Sequence, residues 1–498
     1  MKLRFSALMA ALFVAACGSG SPGKDGANGA DGNPGEPGQD APPAVNDVAI
    51  SQVNPRVGLV DRALTVTIAT DGTIDLKKAT ADFGDGVEVV DTRIIGSSLE
   101  VDIAIAPNAK LGKHDVVVSV GKTKLEAKKA FHVAVPLDAK ISGGKAEQGG
   151  LVRLDVWNRD RIWFDPDRFT LFSLADPKDP SLIPLAHMNF TTTDGTVVLL
   201  GDPMAKTGAL GFLGVNDPAD PDSASFLTEP NVVDVAARTP IALTSGTPTE
   251  VTFDKELQTG FFVANYAPTG NEGFLVDAIA QVPAGSTHKP LLIAYPASGN
   301  SADMIDQKVE DPGFPEFGIP GTEARIAYPV TGASKGYFVV VDAELGHGPT
   351  TKLAMQYTAT RAQILNEKAD PHDTAETGQN LGSLPGVTTT VGGRVVKGEL
   401  KAAGEKDYYR FTGLSATNMT DMLVSVVSDV DIVVRVDTAP TLDSDGLVEV
   451  VPGGKGGMAL SNGHVGATRF ISVQAAPGAK KATGTYTLGF KRVAAPPQ

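Results

Sequence analysis

The sequence predicts an all-β fold: a multidomain chain of β-sandwiches after a disordered N-terminal tether. Glycine (55) and proline (34) make up about 18% of the 498 residues, against about 12% in average proteins, which favours many turns and short strands. Apolar and polar residues alternate with period two, as in ALTVTIAT (63–70) and HDVVVSV (114–120). A helical pattern is scarce, and TATRAQILNEKA (358–369) is its best example.

Composition excludes several classes of function. The net charge is -15, so the chain does not attract a phosphate backbone, and we expect no nucleic-acid partner. Cys17 is the only cysteine. An intramolecular disulfide or a cysteine-based metal site is therefore impossible.

Residues 1–16, MKLRFSALMAALFVAA, have a basic start and a short apolar core, which is typical of a secretory signal peptide. The tetrapeptide that ends at Cys17 resembles the lipobox of bacterial lipoproteins. This resemblance implies that Cys17 is lipidated, becomes the mature N-terminus and anchors the chain to the membrane. Gly18, the next residue, is not the acidic residue that retains some bacterial lipoproteins at the inner membrane. By the same resemblance, the outer membrane or the cell surface is the favoured destination. The alternative is an ordinary signal peptide with a chance cysteine.

Residues 17–44 carry a glycine at every third position from Gly20 to Gly38. The pattern resembles the collagen-like Gly-X-Y repeat, in which only glycine fits at the crowded axis. Because the run is short, we interpret it as a polar extended spacer. Trimerisation through the tract is the alternative.

Two sandwich domains are expected next. Residues 45–135, with FGDGVEVV and other alternating segments, resemble an immunoglobulin-like domain of the IPT/TIG kind. Residues 136–238 are interpreted as a second immunoglobulin-like sandwich. They hold both tryptophans, Trp157 and Trp163.

The remaining chain contains an apparent tandem duplication, 239–360 and 385–498, joined by a connector at 361–384. The second copy resembles the bacterial pre-peptidase C-terminal domain, a jelly-roll-like β-sandwich that ordinarily follows secreted peptidases. Through its similarity to the second copy, the first copy, 239–360, is interpreted as a β-sandwich of the same kind. The resemblance rests on ordered motifs: Gly398-Glu399-Leu400, then GEKDYYRF (404–411), SDVDI (428–432) and GTYTL (484–488).

Two patterns are candidates for catalysis. Asp342, Glu344 and His347 lie together in DAELGHG, and a carboxylate–imidazole group of this kind can bind a metal or perform acid–base chemistry. GASKG (332–336) matches a nucleophile motif that requires a strand–turn–helix context. The residues after it favour a strand, so we interpret it as a hairpin turn. The solvated-loop interpretation of DAELGHG is likewise preferred.

Asp429 and Asp431 point the same way on a predicted strand, and paired carboxylates supply oxygen ligands for calcium. Some pre-peptidase C-terminal domains bind calcium, so the resemblance implies a possible calcium site here; no other cofactor is expected. The alternative is that these aspartates cap a turn. Asp217, Asp220 and Asp222 form another acidic group. Aromatic residues that could stack on sugars are Trp157, Trp163, Tyr408 and Tyr409.

The sequence therefore predicts a non-catalytic cell-surface lipoprotein with a binding, adhesion or envelope-structural role. Its expected partners are the membrane, through the anchor, and an extracellular polymer, matrix or surface protein. The alternatives are a secreted hydrolase, with a site in 136–238 or at Asp342, Glu344 and His347, and a calcium-dependent adhesin.

Overall fold

The computed structural model describes residues 48–494 except 73, 159–161, 166, 175–181, 221, 297–304, 309–322, 344, 346–349, 369–373, 386–390, 413–419, 438–446, 452–455, 462–467 and 480. Its regular elements are all β-strands, which confirms the predicted all-β fold. Within this part of the chain, no helix has the length and apolar character needed to cross a membrane. The predicted signal peptide, Cys17 and the glycine-repeat tract lie outside it.

Module 1 contains eight strands that form two layers around an apolar core. Burial alternates along the sixth strand, where Leu99, Val101 and Ile103 face this core. Phe83 and Phe131 meet edge to face inside it, with ring centroids 5.2 Å apart. The strands are β1 (Ala49–Asn54), β2 (Val57–Leu59), β3 (Arg62–Asp71), β4 (Thr80–Asp82), β5 (Val87–Ile95), β6 (Ser98–Ile105), β7 (Gly112–Val120) and β8 (Thr123–Pro136).

Module 2 contains the next nine strands. The strands are β9 (Asp138–Gly144), β10 (Leu151–Trp157), β11 (Thr170–Ser173), β12 (Leu182–Met188), β13 (Asp194–Gly201), β14 (Gly208–Leu210), β15 (Phe212–Val215), β16 (Ser225–Leu227) and β17 (Val233–Val235). One sheet has the order β12-β13-β10-β9, and the facing layer contains β11-β15-β16. Phe164 anchors the core between them, with its ring centroid 4.6 Å from Phe169 and 5.0 Å from Phe226.

Modules 3 and 4 each contain nine strands. Module 3 consists of β18 (Ile241–Ala242), β19 (Thr249–Phe253), β20 (Gly260–Tyr266), β21 (Glu272–Gln281), β22 (Pro290–Tyr295), β23 (Ile305–Lys308), β24 (Glu323–Val330), β25 (Ser334–Asp342) and β26 (Thr351–Asn366). Module 4 consists of β27 (Gln379–Asn380), β28 (Gly393–Leu400), β29 (Lys406–Phe411), β30 (Thr420–Ser428), β31 (Ile432–Asp437), β32 (Leu447–Val451), β33 (Gly456–Ser461), β34 (Arg469–Ala475) and β35 (Gly484–Ala494).

These two modules have the same strand order. One layer reads β18-β20-β25-β22-β23 in module 3 and β27-β29-β34-β31-β32 in module 4. The other layer reads β24-β21-β26 with β19 beside β26, and β33-β30-β35 with β28 beside β35. Strands that occupy the same place in the order also occupy the same place in the chain. The two modules are therefore topological repeats.

The helix predicted at 358–369 is wrong. Residues up to Asn366 continue β26, which pairs with β21 along one edge and with β28 along the other. Helix-forming residues in AQILNEKA gave the helical signal, but local propensity yields to strand partners on both sides. Ala362 is buried by this packing.

Modules 1 and 2 share one sheet, because β16 adds in parallel to the end of β8. Modules 2 and 3 instead pack face to face through an apolar cluster that includes Leu200, Phe261 and Ile293. Arg153 of module 2 forms a two-pronged ion pair with Glu256 of module 3, at 2.6 and 3.0 Å. Module 2 is therefore packed against module 1 on one side and against module 3 on the other.

Modules 3 and 4 again share a sheet, through parallel pairing of β26 with β28. A buried ion cluster crosses this junction. Asp277 of β21 accepts hydrogen bonds from Arg325 of β24, at 2.7 and 2.6 Å, and from Lys491 of β35, at 2.8 Å. Each of the three junctions between modules is therefore stabilised by side-chain packing or by a shared sheet.

Candidate functional site

Trp157 ends β10 on the sheet face that is turned away from the core of module 2. Val156 points into that core, so strand alternation places Trp157 on the opposite face. The indole is 37% exposed. Its register neighbours are Asp194 on β13 and Asp138 on β9. Directly opposed residues are close neighbours across strands, so a carboxylate flanks the indole on each side.

A second polar row lies next to Trp157 on the same face. Asp155 accepts hydrogen bonds from the hydroxyl groups of Ser142 and Thr196, each at 2.9 Å. Lys140 is in register with Asp155 on β9. The exposed half of this sheet face is therefore polar around a single aromatic ring.

Trp163 lies on the loop that follows β10, and it is 70% exposed. Asn216 braces this loop: its Nδ2 donates to the carbonyl oxygen of Trp163 at 2.7 Å, and its Oδ1 accepts from the backbone N–H of Asp165 at 3.0 Å. Between these two residues, Phe164 is buried in the module core. The backbone of Trp163 is thus fixed while its indole stays in solvent.

One turn holds both tryptophan-bearing segments. The residues after the tryptophans, Asn158 and Phe164, donate their backbone N–H groups to consecutive carbonyls, those of Thr193 at 3.1 Å and Thr192 at 2.8 Å. The buried side chain of Asn158 also closes the loop through two hydrogen bonds to the backbone of Ile162, at 2.7 and 3.1 Å. Trp157, Trp163, Asn216 and the turn 191–194 are called the tryptophan end below.

The candidate catalytic residue Asp342 meets a histidine that sequence spacing did not connect to it. Its Oδ2 lies 3.0 Å from Nδ1 of His288, and both side chains are largely buried. They line a narrow cavity with room for about one water molecule. Glu344 and His347 lie outside the described residues. The cavity is too small for a polymeric substrate.

Ser334, the serine of the motif at 332–336, begins β25 directly after a turn, without the helix that a nucleophile elbow needs. The turn does not form a hairpin. It connects β24 and β25, which belong to different sheets.

The predicted calcium ligands occupy a turn between β30 and β31. Asp429 is half exposed, and its Oδ2 lies 3.0 Å from Nζ of Lys481. Asp431 accepts the backbone N–H of Ala476 with its carbonyl oxygen. An ammonium group already neutralises Asp429, so calcium would compete with it. The calcium site stays a prediction.

The acidic group at 217–222 is distributed over two ion pairs. Asp217 accepts a hydrogen bond from Arg168 at 2.7 Å, and Asp222 lies 2.8 Å from Nζ of Lys110 in module 1. The lysine lowers the pKa of Asp222 through its hydrogen bond and its charge, and hydrogen bonding lowers that of Asp217. Asp222 thus joins module 2 to module 1, whereas the pair of Asp217 and Arg168 lies within module 2.

An acidic cluster that the sequence did not reveal lies in module 4. Oxygen atoms of Glu367, Glu405 and Asp407 come within 4.8 Å of one another. Each side chain accepts hydrogen bonds within the fold; for example, Asp407 accepts the hydroxyl of Tyr486 at 2.5 Å. Burial raises the pKa of Tyr486, and hydrogen bonding to Asp407 adds to the effect. Asp407 of this cluster is buried, whereas Glu367 and Glu405 are partly exposed.

The two candidate tyrosines differ from the tryptophans. Tyr409 is fully buried, and its hydroxyl lies 2.6 Å from that of Tyr486, so it belongs to the core of module 4. Tyr408 is half-buried on the opposite face of the same strand, β29. Of the four aromatic residues singled out from the sequence, the two tryptophans have solvent-exposed rings on a braced end.

The fold and this surface define a class of protein: fused β-sandwich modules that present exposed indoles at one module end. No protein-family model matches the chain. No curated protein matches it.

Several solved structures resemble the chain at low similarity. SGBP-B of the Bacteroides ovatus mixed-linkage glucan utilization locus, solved in complex with a mixed-linkage heptasaccharide, is 12% identical over 60% of this chain and 73% of that one, with a TM-score of 0.14. The Escherichia coli adhesin FdeC is 12% identical over 58% and 88%, with a TM-score of 0.17. SGBP-B of a Bacteroides uniformis xyloglucan utilization locus is 10% identical over 61% and 99%, with a TM-score of 0.16. Similarity at this level carries no information about ligand or activity.

Proposed function

We propose that the protein is a lipid-anchored, non-catalytic binding protein of the bacterial cell surface that contacts an extracellular partner through the tryptophan end. The observation that carries the proposal is the exposure of both indoles on backbone that hydrogen bonds hold in place. Exposed aromatic rings on a rigid support make contact area available at a low cost in conformational entropy. A stable fold alone has no need for such exposure.

The packed junctions support a role in presentation. Shared sheets and apolar clusters connect consecutive modules, so module 2, which carries the tryptophan end, is held by contacts with module 1 and module 3. The polar glycine-repeat tract, in this proposal, separates the modules from the membrane.

The absence of catalysis is part of the proposal. It is supported by the cavity beside Asp342 and His288, which has room for about one water molecule. It is also supported by the setting of Ser334, which no helix follows among the described residues.

Anchoring is tested with Cys17→Ser in the full chain. Because lipid attaches only at this cysteine, we expect the variant to move from the membrane pellet to the soluble fraction. A serine variant that still fractionates with membranes would remove the anchor from the proposal.

Binding is tested with the soluble Cys17→Ser chain and extracellular material prepared from the producing cells. We expect the parent chain to cosediment with this material and Trp163→Ala to bind it about tenfold more weakly, since an indole buried against the ligand contributes at least about 1.4 kcal/mol. Val90→Ala is the matched control, because it removes a 65% exposed apolar side chain in module 1. Equal binding by both variants would refute the assignment of the contact surface.

A further inference from the structure

We infer that the ligand of the tryptophan end is a neutral polysaccharide. The inference rests on the proposed function, since it names the class of partner that this surface contacts. Three features carry it: the groups beside the indoles, the polar turn that holds both tryptophan-bearing segments, and the charge around them.

The groups beside the indoles match the two chemistries of a sugar ring. A pyranose has an apolar C–H face, which packs on an aromatic ring, and hydroxyl groups at its edge. Asp138 and Asp194 flank Trp157 in register, and carboxylates accept strong hydrogen bonds from hydroxyl groups. A sugar stacked on Trp157 therefore has a carboxylate group on each side.

The surroundings of the indoles are unlike a protein–protein interface. Such an interface needs an apolar core within roughly 1,200–2,000 Å² of buried surface. The turn beside the tryptophans consists of threonines and Asp194, and Thr191, Thr192 and Asp194 are exposed. Single aromatic rings separated by hydroxyl and carboxylate groups instead fit a chain that itself alternates apolar faces and hydroxyl edges.

Charge selects among polysaccharides. The sheet face around Trp157 carries three carboxylates, those of Asp138, Asp155 and Asp194, and one ammonium, that of Lys140. The chain as a whole has a net charge of -15. A polyuronate, a sulfated glycan or a nucleic acid is therefore repelled, whereas a neutral polymer is not.

The described residues around Trp163 are held by hydrogen bonds. Asn216 bonds to the backbone of Trp163 and Asp165, and Asn158 bonds to the backbone of Ile162. A ligand that stacks on Trp163 therefore meets a residue whose own backbone is already positioned, which lowers the entropy cost of binding.

The test uses the fact that Trp157 and Trp163 are the only tryptophans. Intrinsic fluorescence of the full Cys17→Ser chain then reports on this end alone. The chain is titrated with neutral polysaccharides (β-glucan, mannan, galactan and arabinoxylan), with polygalacturonate as the acidic counterpart, and mobility is measured in gels that contain each polymer. Trp157→Phe and Trp163→Phe assign the spectral change to one indole.

We expect at least one neutral polymer to shift the emission and retard the chain, with no effect of polygalacturonate. Trp163→Ala should weaken this binding about tenfold or more, while Trp163→Phe keeps part of it because a ring remains. Because Trp163 is 70% exposed, both variants are expected to fold, and an unchanged melting temperature verifies it. Val90→Ala should bind like the parent chain.

The outcomes separate the inference from the proposed function. If no neutral polymer binds but extracellular material is still bound in a Trp163-dependent way, the ligand class is wrong and the binding role stands. Preferential binding of polygalacturonate also overturns the inference. If Trp163→Ala leaves binding of every material unchanged, both the ligand class and the contact surface are wrong.

Discussion

The buried ion cluster at the junction of modules 3 and 4 should be essential for their stability. Asp277→Asn keeps the shape of the side chain but removes the carboxylate to which both Arg325 and Lys491 donate hydrogen bonds. The side chains of Asp277, Arg325 and Lys491 are 8%, 14% and 7% exposed, so solvent compensates little. Breaking a buried pair from one side costs about 3–5 kcal/mol.

The pKa of Asp277 gives a second, lower value for the free energy that this ion cluster contributes to folding. Burial favours the neutral acid, but the hydrogen bond from Arg325 and the charge of Lys491 outweigh burial and lower the pKa from 3.8 to about 2. That difference corresponds to about 2 kcal/mol in favour of the folded, ionised state. Because the folded pKa is depressed, this stabilisation is present above about pH 4 and is lost as the pH falls towards 2.

The assay is thermal and urea unfolding of the parent chain and of Asp277→Asn at neutral pH. For a unit of roughly 250 residues, 3–5 kcal/mol lowers the melting temperature of that transition by about 6–20 °C. The matched control is Glu250→Gln, which breaks an ion pair between Glu250 (59% exposed) and Lys352 (68% exposed) in module 3. This change should cost less than about 1 kcal/mol. Equal melting temperatures for the two variants would refute the argument.

Three further predictions follow from other parts of the structure. Burial, with the positive charge of neighbours, lowers the pKa of His132 from 6.5 to about 4, so the free energy of unfolding should fall by up to about 3 kcal/mol as the pH drops from 6.5 towards 4. His132→Gln should flatten this pH dependence in urea titrations at several pH values, and an unaltered slope contradicts the prediction. Asn216→Ala should release the loop, so the fluorescence anisotropy of Trp163 should decrease in a Trp157→Phe background, whereas equal anisotropy means that Asn216 does not brace it. If calcium binds at Asp429, excess calcium should raise the melting temperature relative to chelator, and equal values remove the site.

Alternation in the sequence predicts most strands, and it also contains the signal for module packing. A strand with one solvated face alternates, as β6 does. β22 reads PLLIAY and is buried at every position, which is typical of a strand covered on both faces. Its outward side chains, such as Leu291 and Ile293, contact module 2 in the apolar cluster between the modules. Continuous apolar runs could therefore have predicted that the modules are fused.

The candidate site was predictable only in part. Composition identifies Trp157 and Trp163 as rare aromatic residues, but the backbone of Trp163 is held by a hydrogen bond from Asn216, which is 53 positions away. The pair of His288 and Asp342 is separated by 54 positions. Contacts of this range depend on strand order, which local patterns do not specify.

The distribution of exposed apolar side chains indicates how the modules divide their work. Among the described residues, the exposed large apolar side chains are concentrated in modules 1 and 2; module 3 contributes Ile241. Modules 3 and 4, the topological repeats, instead bury apolar strands on shared sheets and close their junction with the cluster around Asp277. Single exposed apolar side chains are common on protein surfaces, so they mark a contact surface only where other features support it, as the hydrogen-bonded backbone does at the tryptophan end. We therefore expect partner contacts at the tryptophan end of module 2, with the repeated pair acting as the stable support that packs against module 2 through module 3.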